Sequence, residues 1–385
     1  MSRKKKQAII EIPPQALPVP IVDNHTHIHV DSEYAQSTYV GGADALADSR
    51  ASAKAGDGGE GAAAHARGAG ALCAGQVAED RHAHEQALTE DGAWRLPLRE
   101  KNLLSGMERA GIRAAITSAC EIPDFAPVLD AVRRHPGKIF AALAIHPNEA
   151  ALHAGVRAIA PDGLSPEPDP WHEELDLYSA IERVAELAAQ PEVLAVGESG
   201  LDYFRTGEEG KEAQKESFRA HIALAKELDK PLQIHDRDAH ADVVEILKAE
   251  GAPERTVFHC FSGDAELAQI CAEHGWYASF AGPLTYHANS GLREALLALP
   301  PELILVETDA PYLTPMPFRG YPNAVWGAAY TARYQAWLRL DPSAPEMVAE
   351  RTDAEVQRAA AGVNSELLSR WCEQLNANTR AVYGV

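Results

Sequence analysis

The chain has 385 residues, 46% hydrophobic and 24% charged, enough to bury one large core, and the length suits a single α/β barrel with insertions as well as two smaller domains. A formal charge of −21 argues against a broad nucleic-acid footprint, which depends on Lys and Arg releasing counterions, but not against catalysis on a strand end, where bound cations dominate a small cleft. No apolar run approaches the ~20 residues of a spanning helix, and Ala8-Ile9-Ile10 is too short for a signal-peptide core, so a cytoplasmic protein without membrane association is expected.

In chain order, residues 1–18 read as a flexible basic tail containing prolines, with Lys4-Lys5-Lys6 solvated. A single domain is expected over 19–385. Its first strand, 19–23, runs into Asp23-Asn24-His25-Thr26-His27. Residues 31–98 are rich in Ala, Gly, Asp and Glu and read as a long low-complexity insertion or lid, in which His65, His82 and His84 are expected to be surface groups. Further strands are predicted over 113–118, 139–145, 193–197, 232–234, 256–258, 276–280 and 303–307. Helical spacing covers 124–134, 174–189, 211–228, 239–250, 265–274 and 291–299. Residues 341–385 read as helical cover for the barrel, with Trp371 and Leu375 as packing residues. Strands alternating with helices in this number imply a (β/α)₈ TIM-type barrel, whose functional groups sit at the carboxyl ends of the strands. The five cysteines, Cys73, Cys120, Cys260, Cys271 and Cys372, are odd in number and lack a C-x-x-C spacing, so neither a disulfide framework nor a zinc ribbon is suggested.

Metal-ligand residue types follow five of the predicted strands. Alternate strand residues point the same way, so His25 and His27 can grip one ion, although His29 continues the alternation and leaves the register open. Glu198 lies between Gly197 and Gly200; its two oxygens can bridge two cations about 3.5–4 Å apart. His235 and His259 each follow an apolar strand and complete a second ion. Asp309 can ligate the first ion and take a proton from the attacking water. Glu307, deeper in the same run, could support it.

Together, Asp23-x-His25-x-His27, Gly197-Glu198-x-Gly200-Leu201-Asp202-Tyr203, His235-x-Arg237-Asp238-Ala239, His259-Cys260-Phe261-Ser262-Gly263 and Glu307-Thr308-Asp309-Ala310-Pro311-Tyr312 resemble the TatD family of metal-dependent deoxyribonucleases. Ile145-His146-Pro147 is similar to that family's G-V-H-P element, and Asn378 to Gly384 to its closing N-x-x-x-x-F-G. The resemblance implies an amidohydrolase-like barrel with two divalent ions, magnesium, zinc or manganese. His25, His27, Glu198 and Asp309 would hold the first, and Glu198, His235 and His259 the second. It further implies attack of a bridging water on phosphorus, 3′-to-5′ trimming of DNA ends as the substrate reaction, and no obligate protein partner. His146, Tyr203 and Arg237 match positions near the substrate, where the planar fork of Arg237 suits phosphate. Asp236 would add negative charge near the second ion. The alternative is hydrolysis of small esters, amides or lactones on the same scaffold, favoured by the acidic balance and the insertion.

Overall fold

The computed structural model describes residues 9–28 and 100–385. The expected insertion, its histidines, His29, Cys73 and the Lys4–Lys6 run lie outside the described residues. Eight parallel strands form one sheet in sequence order, β1 (Ile21–Thr26), β2 (Ile112–Ala119), β3 (Ile139–Leu143), β4 (Val193–Asp202), β5 (Leu232–Arg237), β6 (Thr256–Phe258), β7 (Tyr277–Phe280) and β8 (Ile304–Val306). The sheet closes where His27 N donates to Ala310 O at 2.7 Å and Asp309 N to His25 O at 3.0 Å. This is the (β/α)₈ barrel the alternation implied.

The connecting helices are α1 (Glu100–Ala110), α2 (Ile122–Arg134), α3 (Pro147–His153), α4 (Pro170–Glu174), α5 (Leu177–Ala188), α6 (Lys211–Glu227), α7 (His240–Glu250), α8 (Ala265–His274) and α9 (Ser290–Ala298). After the last strand come α10 (Ala328–Leu340), α11 (Ala344–Glu350), α12 (Asp353–Ala361) and α13 (Ser365–Tyr383). Their apolar faces and the outer faces of the strands form one continuous core. A separate cluster joins Val22, Ala114, Ile116, Ala142, Ala195, Val257 and Leu305 with Val382 and Tyr383. Residues from six strands can meet in this way only inside the barrel. Three of them are alanine, which leaves room for the end of α13 to enter.

Two expectations need correction. The first strand starts at Ile21, because Pro18 and Pro20 cannot donate to a ladder. The described part of the expected free tail is also anchored. Ile10 and Leu17 are buried, Ile10 N donates to Pro322 O, Trp326 Nε1 donates to Ile10 O, and Leu17 N donates to Ala110 O. Apolar side chains and paired backbone groups hold residues 9–18 against the barrel. Trp371 and Leu375 are buried, and the Trp371 indole donates to Gln335 at 3.1 Å. Among the described residues no helix is long and apolar enough to cross a membrane.

Candidate metal centre

The carboxyl ends of β1, β4, β5, β6 and β8 bring together His25, His27, Glu198, His235, His259 and Asp309. Glu198 lies at their centre with one oxygen toward each side. Oε1 is 3.4 Å from His27 Nε2 and 3.8 Å from His25 Nε2, and Asp309 Oδ1 is 3.3 and 3.8 Å from the same two nitrogens. Oε2 is 3.1 Å from His235 Nδ1 and 2.5 Å from His259 Nε2, and these nitrogens are 3.5 Å apart. Donors around a tetrahedral ion at about 2.0–2.1 Å lie about 3.4 Å from one another, which most of these separations approach. His25 Nε2 is buried without a hydrogen-bond partner. An orphaned lone pair facing two carboxylates fits a cation and otherwise costs free energy. The donor set therefore fits a divalent ion on each side of Glu198.

Outer contacts aim these rings. His27 Nδ1 meets Ser118 O at 3.3 Å, His25 Nδ1 meets Gln233 Oε1 at 3.1 Å, His235 Nε2 meets Asp202 Oδ2 at 3.3 Å, and His259 Nδ1 lies 3.5 Å from Glu307 Oε1. Such partners fix the tautomer and orientation of a ligand imidazole. Asp23 holds the closing seam, accepting from Thr308 N at 2.8 Å and from its hydroxyl at 2.5 Å. Burial holds the Asp23 carboxyl well above the usual range despite those hydrogen bonds.

Burial opposes charge on every group here, and the neighbours decide which side wins. For His27, Asp309 and Glu198 outweigh burial and push the imidazole up to about 10. For His235, Asp202 and Glu198 do the same, to about 9. Glu198 and Glu307 hold His259 well above its ordinary value against burial. For His25 burial prevails, reinforced by His259, and lowers it to about 3. Glu198 stays well below the usual carboxylate range in spite of its burial, because His259, His235 and His27 surround it. The metal-free cluster is thus a set of imidazolium protons around a carboxylate, in positions that cations would take over.

The expected substrate residues divide. His146 joins the cluster, with Nε2 3.3 Å from His235 Nδ1 and 3.9 Å from Glu198 Oε2. Its Nδ1 accepts from Asn148 N at 3.2 Å, so the neutral ring carries its proton on Nε2 and acts as a donor. Burial, and then His235, lower it to about 3 and keep it neutral. Arg237 stacks its guanidinium 4.0 Å from the centre of the Phe204 ring. Tyr203 instead gives its hydroxyl to Asp242 at 2.6 Å, beneath the Lys211 ammonium. Asp236 lies on the opposite face of β5 from His235 and binds His240 at 2.7 Å, so its charge is spent there. Glu307 supports His259 and Cys260 N, at 2.6 Å, rather than Asp309, because β8 ends at Val306 and the chain then turns, with Asp309 at φ 54°.

The sequence reading missed Cys120, Ser118, Gln233 and Phe204. The Cys120 thiol donates to Glu198 Oε1 at 3.3 Å, and burial, then Glu198, push it up, so it stays protonated. It lies at the end of β2, a position that could have signalled it.

A family model described as TatD related DNase matches residues 79–360. The chain is 38% identical over 264 residues to the uncharacterized metal-dependent hydrolase TatD of Mycobacterium tuberculosis, covering 67% of this chain and 90% of that protein. It is 40% identical over 149 residues to the 3′-5′ ssDNA/RNA exonuclease TatD of Escherichia coli K12, covering 37% of this chain and 55%, about half, of that protein. Among solved structures, the TatD homologue YjjV from Escherichia coli K12 aligns with a TM-score of 0.54 at 27% identity, over 74% of this chain and 92% of that one.

Proposed function

Because the chain belongs to the TatD-related DNase family, we propose that it is a metal-dependent hydrolase that uses two divalent ions to trim DNA from 3′ ends. The observation that carries this reading is Glu198, one carboxylate whose two oxygens each face a separate group of imidazoles. Ions bound there would acidify a water and neutralise charge on the scissile phosphate. Asp309, 3.3 Å from His27 and at the rim of the cluster, would accept the proton of the attacking water. His146 presents a neutral N–H donor at the second side, and Arg237, braced on Phe204, offers a planar fork to a phosphate. The Escherichia coli relative, a 3′-5′ ssDNA/RNA exonuclease, supports DNA as the substrate.

A second reading, hydrolysis of a small ester, amide or lactone, is favoured by the carboxyls that follow Cys120. Burial raises Glu121, to about 9, and Asp124, and both interact with His27. Held protonated, Glu121 offers an O–H donor suited to a neutral ester, amide or lactone rather than a charge that would act on a polyanion.

The experiment strips the protein with chelator, restores magnesium, manganese or zinc singly, and follows 5′-labelled single-stranded DNA with Asp309→Asn as control. A metal-dependent ladder shortening from the 3′ end and absent in the control is expected. Intact DNA with metal bound, alongside turnover of a small ester, would replace the first reading by the second.

A further inference from the structure

His27, His235 and His259 set their outer nitrogens against acceptors that cannot change sides, namely the Ser118 carbonyl and the Asp202 and Glu307 carboxylates. His25 instead faces an amide, whose oxygen and nitrogen are nearly the same shape. The surroundings of Gln233 decide between them. Gln233 Nε2 lies 2.9 Å from the Asn24 carbonyl oxygen and 2.9 Å from the Tyr383 hydroxyl. A carbonyl only accepts, so the amide nitrogen belongs on that side and Oε1 faces His25 Nδ1. His25 therefore carries its proton on Nδ1 and presents a bare Nε2 lone pair to the space it shares with Glu198 and Asp309. The reversed amide would donate to Nδ1, move the proton to Nε2 and close that position to a cation. Packing holds the side chain in place, since a Cβ added at Gly197 would lie 2.4 Å from Gln233 Cβ. The hydroxyl comes from the last residue of α13, which enters the alanine-lined interior of the barrel. Tyr383 stands where the family's closing motif has phenylalanine, so this hydroxyl is not part of that motif.

We infer that Gln233 and Tyr383 are positioning residues for the first ion: α13, through the Tyr383 hydroxyl and the Gln233 amide, holds His25 as the Nδ1–H tautomer and so sets cation affinity on the His25, His27 and Asp309 side. The inference rests on the two-ion part of the proposed function and not on DNA as substrate. Zinc affinities of the full chain, measured by chelator competition, test it. In a His235→Ala background, which leaves the first side intact, Gln233→Met is expected to weaken zinc about 10- to 100-fold, the usual effect of losing an outer partner. In a His27→Ala background, which leaves the second side, the same change is expected to alter affinity less than about twofold, small beside that range. Tyr383→Phe should act in the same direction with a smaller shift. Nitrogen-15 histidine spectra of the metal-free protein should show the His25 proton on Nδ1, and a mixture of tautomers in Gln233→Met. Equal weakening on both sides, or a proton found on Nε2 in the unmodified protein, overturns the inference. Should Gln233→Met fail to fold, Tyr383→Phe decides alone, and an unshifted first-side affinity overturns it. None of these readouts uses DNA, so a failure of the nuclease reading leaves them interpretable.

Discussion

At the scale of single residues, the proposed function gives Glu198 and Asp309 different reach across the centre. Glu198 serves both sides of the centre, so Glu198→Gln is expected to weaken both ions, seen as loss of both zinc steps in a chelator competition. Asp309 reaches the first side alone. Asp309→Asn is therefore expected to keep the fold and the second ion while lowering kcat by about 10²- to 10⁴-fold, the range for loss of a general base. Undiminished metal-dependent turnover would remove Asp309 from the mechanism. The six cluster residues were legible because ligand residue types at the ends of apolar strands have few other reasons to be there. Gln233, Ser118 and Phe204 were not, because their roles depend on contacts across the barrel; Gln233 meets His25 from 208 positions away. Glu307 differs from its reading for a related reason: strand alternation gives the face of a side chain but not its partner, and Glu307 meets His259 and Cys260 N rather than Asp309.

At the scale of elements, β4 and β5 bear the greatest constraint. Beyond a bulge, β4 continues past its expected end at 197 to Asp202, and Gly200 pairs with His235. Gly200 has φ 146°, and an added Cβ would lie 2.0 Å from the His235 carbonyl oxygen. That neighbour is backbone of the strand carrying a cluster histidine, so it cannot step aside cheaply. Gly200→Ala is expected to destabilise by about 3 kcal/mol or more in urea unfolding and to weaken the second ion. Gly137, at φ 75° with nothing near an added Cβ, is the control, and Gly137→Ala should cost about 1 kcal/mol with metal binding intact. An equal cost at both sites would mean that the backbone angle, not the approach of β5, governs Gly200. The helices α2 and α5 to α9 were legible from their one-sided apolar spacing. Helix α10 was not, because α12 and α13 cover it and burial from Ala328 to Leu338 is nearly continuous, which erases the polar stripe that periodicity detects. The start of β1 was misplaced by counting Val19 as strand between two prolines.

At the scale of the whole molecule, the protons in the cluster couple folding to metal and pH. His27, at about 10, and His235, at about 9, lie above the ordinary histidine value of 6.5 in the folded, metal-free chain. A raised folded value means that the stabilisation from these imidazolium ions is fully present below about pH 6.5 and is lost as pH rises through 9 to 10. Cation binding works in the opposite sense, because the same nitrogens must shed their protons to become ligands. His25 and His146, both lowered to about 3, are already neutral and add nothing to this exchange. The difference in melting temperature between zinc-loaded and chelator-treated protein should therefore widen steadily from pH 6 to pH 9. Calorimetric titrations of zinc in buffers of different ionisation enthalpy should show net proton release at pH 7. A temperature gap that stays constant over that range, with no proton release, would mean that the imidazoles are neutral before metal arrives and that Glu198 does not hold them charged.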